Sequence, residues 1–459
     1  MKMNTIAAIA TAMSSSGIGI VRISGEESFQ IIDRVFKGKG KRVKKLSDEK
    51  SHTIHYGFIY DGEELIDEVL VLLMRGPGSY TGEDTVEIDC HGGVLVTKRI
   101  LETVLKYGAR PAEPGEFTKR AFLSGRIDLT QAEAVIDVIN AKNQYALKSS
   151  VSQLEGAVSK RVRALRDTII YHIAFIESAL DDPEHISLDG YQESLLHAME
   201  PLKEELKRLI KSSENGRVLS EGIETVILGK PNAGKSSLLN VLVGEERAIV
   251  TDIAGTTRDT LKEQIMLEDL SLNMIDTAGI RDTEDVVEKI GVEKARQAAE
   301  GADLIIYVVD GSCPLDENDD EILSFIDDRK AVIVLNKSDL SMVVTPDLIS
   351  KRTSHKVITI SARNRSGIEE LEHEIKTMFY EGEIDFNDQV YITNVRQKNA
   401  LEEALKSLGM VEQSINDGMA EDFYSIDLMD AYEQLGIILG ESVEDDLVNE
   451  IFSKFCMGK

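Results

Sequence analysis

The sequence predicts a multidomain chain of α/β plus α class: an N-terminal α+β domain, then a helical bundle interrupted by an inserted doubly wound parallel sheet. Three observations carry this reading. Strand-like runs punctuated by Gly, Pro and Ser fill the first part of the chain. Apolar residues then recur in steps of three and four. From about Gly222 to Tyr380, short apolar runs alternate with helical stretches.

In chain order, Thr5–Ala10, Ile18–Ile23, Thr53–Tyr60, Glu68–Met74 and Thr85–Cys90 read as strands, and Gly93–Tyr107 as a helix. Near Arg126 the texture changes. Thr130 and Glu133 have capping-box spacing, followed by Ala132, Val135, Ile136 and Ile139 on one helical face. A single long helix is then expected from Leu147 through Val158, Leu165 and Ile173 to Leu180, a bundle seam that Pro183 ends. Leu195–Ile210 repeats the helical pattern, and Ser212–Gly216 reads as a linker. The runs Glu224–Leu228, Leu304–Val309, Ala331–Leu335 and Lys356–Ile360 are the buried strands of the inserted sheet. After Tyr380 the chain is helical again, with Leu447, Ile451 and Phe455 on one face. The expected divisions are 1–122, 123–216, 217–380 and 381–459.

At 459 residues the chain has room for about three domains at roughly 150 residues each. Its 52 Lys and Arg face 81 Asp and Glu, a net charge of −29. That balance argues against non-specific coating of nucleic acid or anionic membrane, since phosphate binding needs clustered cations. Residues 381–459 are especially acidic. Three scattered cysteines (Cys90, Cys313, Cys456) fit a reducing compartment better than a disulfide framework. The N-terminus is like a signal peptide only superficially, and no window reaches 18 apolar residues. A cytoplasmic protein that spans no membrane is expected.

Gly229-Lys-Pro-Asn-Ala-Gly-Lys-Ser236 fits G-x-x-x-x-G-K-[ST], after a predicted strand and before a predicted helix. Glycines there let backbone amides turn toward phosphate at a helix N-terminus. Lys235 can reach the β- and γ-phosphates, and the Ser236 hydroxyl can ligate Mg²⁺. Alone, this could be a glycine-rich turn. Three further elements follow in order. Asp276-Thr-Ala-Gly279 offers a carboxylate for Mg²⁺ and the Gly279 amide for the γ-phosphate. Asn336-Lys-Ser-Asp339 offers Asp339 to guanine N1–H and N2–H, with Lys337 over the base. Ser361-Ala-Arg363 offers amides to guanine O6. Together they read as a GTP-binding domain.

The residue after Gly279 is Ile280, so the water-orienting glutamine of Ras-type enzymes is missing. In Thr251-Asp-Ile-Ala-Gly-Thr-Thr-Arg-Asp259, Thr256 or Thr257 can complete the Mg²⁺ shell. Asn232 can help bind a monovalent cation in place of an arginine finger. Arg258 reads equally as a finger or as a solvent-facing switch residue. Nucleotide contacts are expected from Asn232, Ala233, Gly234, Lys235, Ser236 and Ser237, from Thr251, Asp252, Ile253, Ala254, Gly255, Thr256 and Thr257, from Asp276, Thr277, Ala278 and Gly279, from Asn336, Lys337, Ser338 and Asp339, and from Ser361 and Ala362.

At this point the whole chain closely resembles the MnmE (TrmE) family of tRNA-modification GTPases. The resemblance rests on Ile20-Val-Arg-Ile-Ser-Gly25, Thr81-Gly-Glu-Asp84 with Glu87 and His91-Gly-Gly93, Pro114-Gly-Glu-Phe117, Asp128-Leu-Thr-Gln-Ala-Glu133, Gly255-Thr-Thr-Arg-Asp259 and the terminal Phe455-Cys-Met-Gly-Lys459. It implies a homodimer formed through a folate-binding N-terminal domain. It also implies an FAD-dependent partner of the MnmG (GidA) type, which joins it in placing an aminomethyl or carboxymethylaminomethyl group on C5 of the wobble uridine of certain tRNAs. The carbon would come from 5-formyltetrahydrofolate or a related tetrahydrofolate. Paired GTPase domains would hydrolyse GTP with K⁺ acting in place of an arginine finger. Carried over by residue, Asn232, Thr251, Ile253 and Thr256 surround K⁺, Ser236 and Thr257 ligate Mg²⁺, and Glu288 positions the attacking water. Without the resemblance, Glu288 is one acid of a solvated run. Arg22, Glu87, Arg126 and Lys459 match the folate positions. Position 126 is often Lys in the family, and a planar guanidinium is not equivalent to an ammonium.

Cys456 reads either as the family's functional cysteine or as packing beside Phe455. A zinc site at Cys90-His91 lacks a second ligand pair. The basic run Lys37–Lys45 suits tRNA phosphate or solvent equally, whereas Lys160, Arg161, Arg163 and Arg166 on the long helix could line a tRNA surface but read more readily as an exposed helix face. A ribosome-assembly GTPase that binds rRNA is the rival reading, though such proteins normally carry a basic RNA-binding domain. A one-carbon transferase regulated by GTP is a third.

Overall fold

The computed structural model describes residues 4–39, 45–247, 263–267, 270–275, 299, 301–380, 392–441, 448, 451–453, 455 and 458. The chain divides into two compact units. One comprises residues 1–139, 151–203 and 399–459, and the other 140–150 and 204–398.

The first unit opens with a seven-stranded sheet built from β1 (Ile6–Ile9), β2 (Ile18–Ser24), β3 (Phe36–Gly38), β4 (Thr53–Asp61), β5 (Glu64–Met74), β6 (Thr85–His91) and β7 (Arg110–Pro111), in the order β3-β4-β5-β6-β2-β1-β7. Its pairs are antiparallel except β1 with β7. Side chains alternate between faces. Val21, Ile23, Val71, Leu73, Val86 and Ile88 point into a core closed by α1 (Ser28–Val35) and α2 (Val94–Lys106), with Phe29, Ile32, Ile100 and Val104. The same alternation puts Arg22 and Glu87 on the opposite face, as direct partners across β2 and β6.

Helices α3 (Glu116–Leu123), α4 (Leu129–Asn140), α5 (Gln144–Leu154) and α6 (Ala157–Asp181) follow. The expected capping box lies two residues earlier than the sequence suggests. The Gln131 amide donates to Asp128 Oδ1, and the Asp128 amide donates back to Gln131 Oε1, both at 3.1 Å. The hydroxyl of Thr130 instead donates to Asp128 (2.6 Å). The single long helix is also corrected. Gly156, at φ 85°, breaks it into α5 and α6, and the buried seam runs only from Val158 through Val162, Leu165, Ile169 and Ile173 to Ile176. Leu147, Val151 and Leu180 are exposed.

Helix α7 (Tyr191–Glu221) runs straight through the expected linker. There the Ser212 and Ser213 hydroxyls donate to the Leu209 and Ile210 carbonyls, which keeps these polar residues compatible with helix. Farther along, Val448, Phe452 and Phe455 are buried with Ala121, Leu129 and Ala132, and Ile451 packs against them. Leu447 lies outside the described residues.

The second unit holds the inserted sheet: β8 (Ile223–Gly229), β9 (Glu263–Leu267), β10 (Leu270–Met274), β11 (Leu304–Asp310), β12 (Ala331–Asn336) and β13 (Val357–Thr359), ordered β13-β12-β11-β8-β10-β9. It is parallel except for the edge strand β9, which pairs antiparallel with β10. Helices α8 (Lys235–Arg247), α9 (Glu317–Ile326), α10 (Pro346–Ser350) and α11 (Ile368–Tyr380) accompany it. In β11, Ile306 and Val308 join the core on one face, and Ile305, Tyr307 and Val309 the core on the other. Burial on both faces explains why these strands read as continuous apolar runs. Helices α12 (Val395–Asn416) and α13 (Glu421–Leu439) complete the described elements, α13 packing on α6 in the first unit. Among the described residues, no helix is long and apolar enough to cross a membrane.

Candidate functional site: a phosphate loop joined to a base-reading motif

The carboxyl ends of β8, β11, β12 and β13 converge, as expected for a ligand crevice in an open α/β sheet. Gly229 ends β8 at φ 152°, and a Cβ there would lie 2.5 Å from the Val308 carbonyl. Asn232 and Gly234 adopt φ 62° and 101°. The loop Gly229–Gly234 then delivers Lys235 as the first residue of α8. The Lys235 ammonium donates to the carbonyls of Gly229 (2.7 Å) and Lys230 (2.9 Å). Burial lowers its pKa from the ordinary lysine value. Ala233 is buried, Lys235 and Ser236 are half-buried, and Asn232 and Ser237 are exposed.

Asn336 ties this loop to the second motif. It is 2% exposed, and its side chain donates to the Ala233 carbonyl (2.9 Å) while accepting from the Ala362 amide (3.1 Å). A Cβ at Gly234 would sit 2.1 Å from the Asn336 amide nitrogen, so this position requires glycine. Lys337, at φ 66°, reaches Asp310 at the end of β11 (2.6 Å). Burial raises the Asp310 pKa, but the hydrogen bonds from Lys337 and Ser312 outweigh it and hold the carboxyl below its usual range. The Ser338 amide donates to the Ile360 carbonyl (3.1 Å). Exposed Asp339 accepts from the Ser361 hydroxyl (2.7 Å), which lowers its pKa and keeps it an anionic acceptor at neutral pH. The arrangement combines an amide-lined loop, a lysine at a helix start and an exposed carboxylate able to accept two neighbouring N–H groups.

Asn232–Ser237, Asn336–Asp339, Ser361 and Ala362 are therefore gathered in one region. Thr251, Asp252, Ile253, Ala254, Gly255, Thr256, Thr257, Arg258, Asp276, Thr277, Ala278, Gly279 and Glu288 lie outside the described residues. So do Cys456 and Lys459. Asp310, Lys230, Asp319 and Tyr307, which also shape this region, were not anticipated. They occupy the variable loop position and strand and helix positions that carry no motif.

A second cluster forms in the first unit. Arg22 pairs with Glu87 (2.6 Å), and its guanidinium also donates to the Gly458 carbonyl (3.1 Å). Its carbon lies 5.4 Å from the centroid of the Tyr80 ring and 5.5 Å from that of Phe117. Arg126 lies over the same tyrosine ring at 4.7 Å. Arg22, Glu87 and Arg126 thus meet around Tyr80, a residue that sequence reasoning missed although it directly precedes Thr81-Gly-Glu-Asp84. Glu87 and Arg22 satisfy each other, so an incoming ligand meets a neutral ion pair with Arg126 beside it.

Among the described residues no group of three potential ligands gathers at a metal-like site. Cys90 is buried, its thiol donating to the Gly19 carbonyl (3.2 Å), and burial pushes its pKa up. Lys160, Arg161 and Arg163 are exposed on α6. Arg166 leaves that face, being buried over the Tyr432 ring (4.0 Å) and paired with Glu441 (2.6 Å). Lys37 and Lys39 lie over Tyr60 and Tyr56, and residues 40–44 of that basic run are outside the described residues.

Two family models match this chain. That of the MnmE helical domain covers residues 129–456, and that of the GTP-binding protein TrmE N-terminus covers residues 5–126. The tRNA modification GTPase MnmE of Lachnoclostridium phytofermentans is 61% identical over 459 residues, spanning 100% of both chains. The proteins of that name from Acetivibrio thermocellus and Clostridioides difficile are 48% and 47% identical, spanning 100% and 99% of each chain. The solved G domain of the T. maritima FeoB iron transporter aligns with 34% of this chain and 98% of its own, at 22% identity and a TM-score of 0.26, a likeness too slight to carry an argument. With one relative identical at three positions in five from end to end, and family models matching both halves of the architecture, this chain belongs to the MnmE family.

Proposed function

We propose that this chain hydrolyses GTP to drive a step in tRNA modification. The observation that carries the nucleotide reading is Asn336, which joins the phosphate loop at Ala233 to the base-reading segment at Ala362. Lys235 and the loop amides would hold the β- and γ-phosphates, and Asp339 would select guanine by accepting N1–H and N2–H. Mg²⁺, bound through Ser236 and Thr257, would offset charge developing on the transferred phosphoryl group. K⁺, held by Asn232, Thr251, Ile253 and Thr256, would supply the charge that other GTPases take from an arginine. Asp276 would support Mg²⁺, and Glu288 would orient the attacking water.

The wobble-uridine chemistry, the FAD-dependent partner of the MnmG type and the homodimer are part of the same proposal. So are the divisions 1–122, 123–216, 217–380 and 381–459, although the boundary at 216 falls within α7. The tetrahydrofolate donor would lie against Arg22, Glu87, Arg126 and Lys459. The chemistry of the cluster fits it: guanidinium groups suit the glutamate tail and a carboxylate suits the pterin's amino edge. Tyr80 adds an aromatic face between the two arginines. Cys456 would act at the same terminal segment.

The test is the GTP hydrolysis rate of purified protein in KCl and in NaCl at equal ionic strength, with wobble uridines analysed in tRNA from a deletion strain. Strong stimulation by K⁺ together with loss of the modification is expected. Equal, slow rates in both salts would remove the K⁺ site. Wobble-uridine modification left unchanged by the deletion, with accumulating ribosome precursors, would overturn the tRNA assignment.

A further inference from the structure

We propose that Lys230, Asp319 and Tyr307 form a positioning network for Lys235, acting through the carbonyls of the phosphate loop. This rests on reading Gly229–Ser236 as a phosphate loop. The Lys235 ammonium has three N–H donors, and two are already aimed at the Gly229 and Lys230 carbonyls, at 2.7 and 2.9 Å. Whatever fixes those two peptide units therefore fixes where the remaining N–H points. Gly229 is fixed by contact, since even a Cβ would strike the Val308 carbonyl. The next residues, Pro231 and Asn232, are exposed, and beyond them the Ala233 amide also donates to the Lys230 carbonyl (3.2 Å).

Lys230 is held by its side chain. The ammonium pairs with Asp316 (2.7 Å) and with Asp319. Asp319 is 3% exposed in the first turn of α9 and is held from the sheet side by Tyr307 of β11, which is fully buried. The Tyr307 hydroxyl donates to one Asp319 oxygen (2.6 Å), while the other accepts from the Asp316 amide (2.9 Å) and from Lys230. A buried carboxylate deprived of its cation is strongly disfavoured, so Lys230 cannot leave this position cheaply. The order of support runs from the sheet core at Tyr307, through Asp319 and Lys230, to the loop carbonyl and Lys235. Nothing in the motif G-x-x-x-x-G-K-[ST] calls for a cation at its second position. Here that cation holds the loop whose carbonyls orient the motif's own lysine.

A network that merely clips α9 to the loop would stabilise the fold without acting through Lys235, and a double-mutant cycle separates the two. GDP affinity of the full-length protein is measured by calorimetric titration for Lys230→Met, Lys230→Arg and Tyr307→Phe, each alone and combined with Lys235→Ala. Lys230→Met is expected to weaken GDP about 10-fold alone but less than about 2-fold beside Lys235→Ala, because coupled residues are non-additive. Lys230→Arg should recover most of the loss, and the preference for GDP over xanthosine diphosphate should stay constant. Equal losses in both backgrounds, or no loss in the parent, would overturn the network. Should Lys230→Met fail to melt cooperatively, Tyr307→Phe, which keeps the ring and removes only the donor, carries the same cycle. An unaltered GDP affinity in Lys235→Ala alone would instead overturn the phosphate-loop reading, and the network with it.

Discussion

Replacing Asn336 with alanine probes the joint between the two halves of the nucleotide site. The wild-type amide makes two hydrogen bonds, to the Ala233 carbonyl and from the Ala362 amide, and Asn336, Ala233 and Ala362 are 2%, 1% and 5% exposed. Removing the amide leaves these two buried backbone groups without a partner, at a cost of ~1–3 kcal/mol each. The floor is therefore about 2 kcal/mol, or roughly 30-fold in an equilibrium constant at 1.4 kcal/mol per decade. The bonds fix the phosphate loop and the Ser361–Ala362 segment against each other, so the cost is expected mainly as lost nucleotide affinity. Calorimetric titration of the full-length variant with GDP should show a loss of about 30-fold or more. Thermal melting without nucleotide establishes that the variant is folded. A folded Asn336→Ala protein that binds GDP within about 3-fold of wild type would refute the claim that this side chain joins loop and base site.

Three further outcomes are expected. Asp339→Asn turns an acceptor facing guanine N1–H and N2–H into a partial donor, so competition between guanosine and xanthosine nucleotides should shift toward xanthine; unchanged discrimination would remove Asp339 from base reading. Glu288→Ala should abolish multiple-turnover hydrolysis while GTP affinity stays near wild type, and near-normal turnover would end its proposed role. Burial holds the His172 imidazole below its ordinary pKa of 6.5, with Nδ1 2.6 Å from the Tyr191 hydroxyl. The unfolded chain then takes up a proton as the pH falls through 6.5 while the folded chain resists it. Stability from this group is fully present above that pH and is lost below it. The melting temperature should fall between pH 7.5 and 5.5, less steeply in His172→Phe, and identical slopes would refute the assignment.

Periodicity revealed the two sheets because β-strands buried on both faces, such as Leu304–Asp310, cannot be anything but apolar, and half-buried ones such as Thr85–His91 must alternate. It failed where helix continuity depended on one backbone angle. The i, i+3, i+4 pattern runs across Gly156 without a gap, yet a residue at φ 85° separates α5 from α6 there. It failed in the opposite sense at Ser212–Gly216, where serine hydroxyls satisfied within the helix removed the expected linker. Spacing likewise located Asn232–Ser237 and Asn336–Asp339 because phosphate and base chemistry tolerate few residue types. Tyr80, Asp319 and Tyr307 escaped notice because their roles come from what they touch, and tyrosine or aspartate at those positions is ordinary in any strand, loop or helix.

The motif Asn336-Lys-Ser-Asp339 reads in sequence as four nucleotide-contacting residues, but the geometry divides its labour. Only Asp339 is exposed, with an acceptor kept anionic by Ser361. Lys337 is drawn to Asp310 at the end of the neighbouring strand, and Asn336 is spent inside the protein between Ala233 and Ala362. The asparagine is required because no other neutral side chain of that length donates to a carbonyl and accepts from an amide at once; aspartate would set an oxygen against the Ala233 carbonyl, and leucine would leave both backbone groups unpaired. Gly234 is required by the same contact, seen from the other side, since the Asn336 amide occupies the place of its missing Cβ. Two glycine and asparagine positions about a hundred residues apart in sequence thus express a single steric and hydrogen-bonding constraint. In the proposed nucleotide site, phosphate and base would be held in register by a bond that neither of them touches.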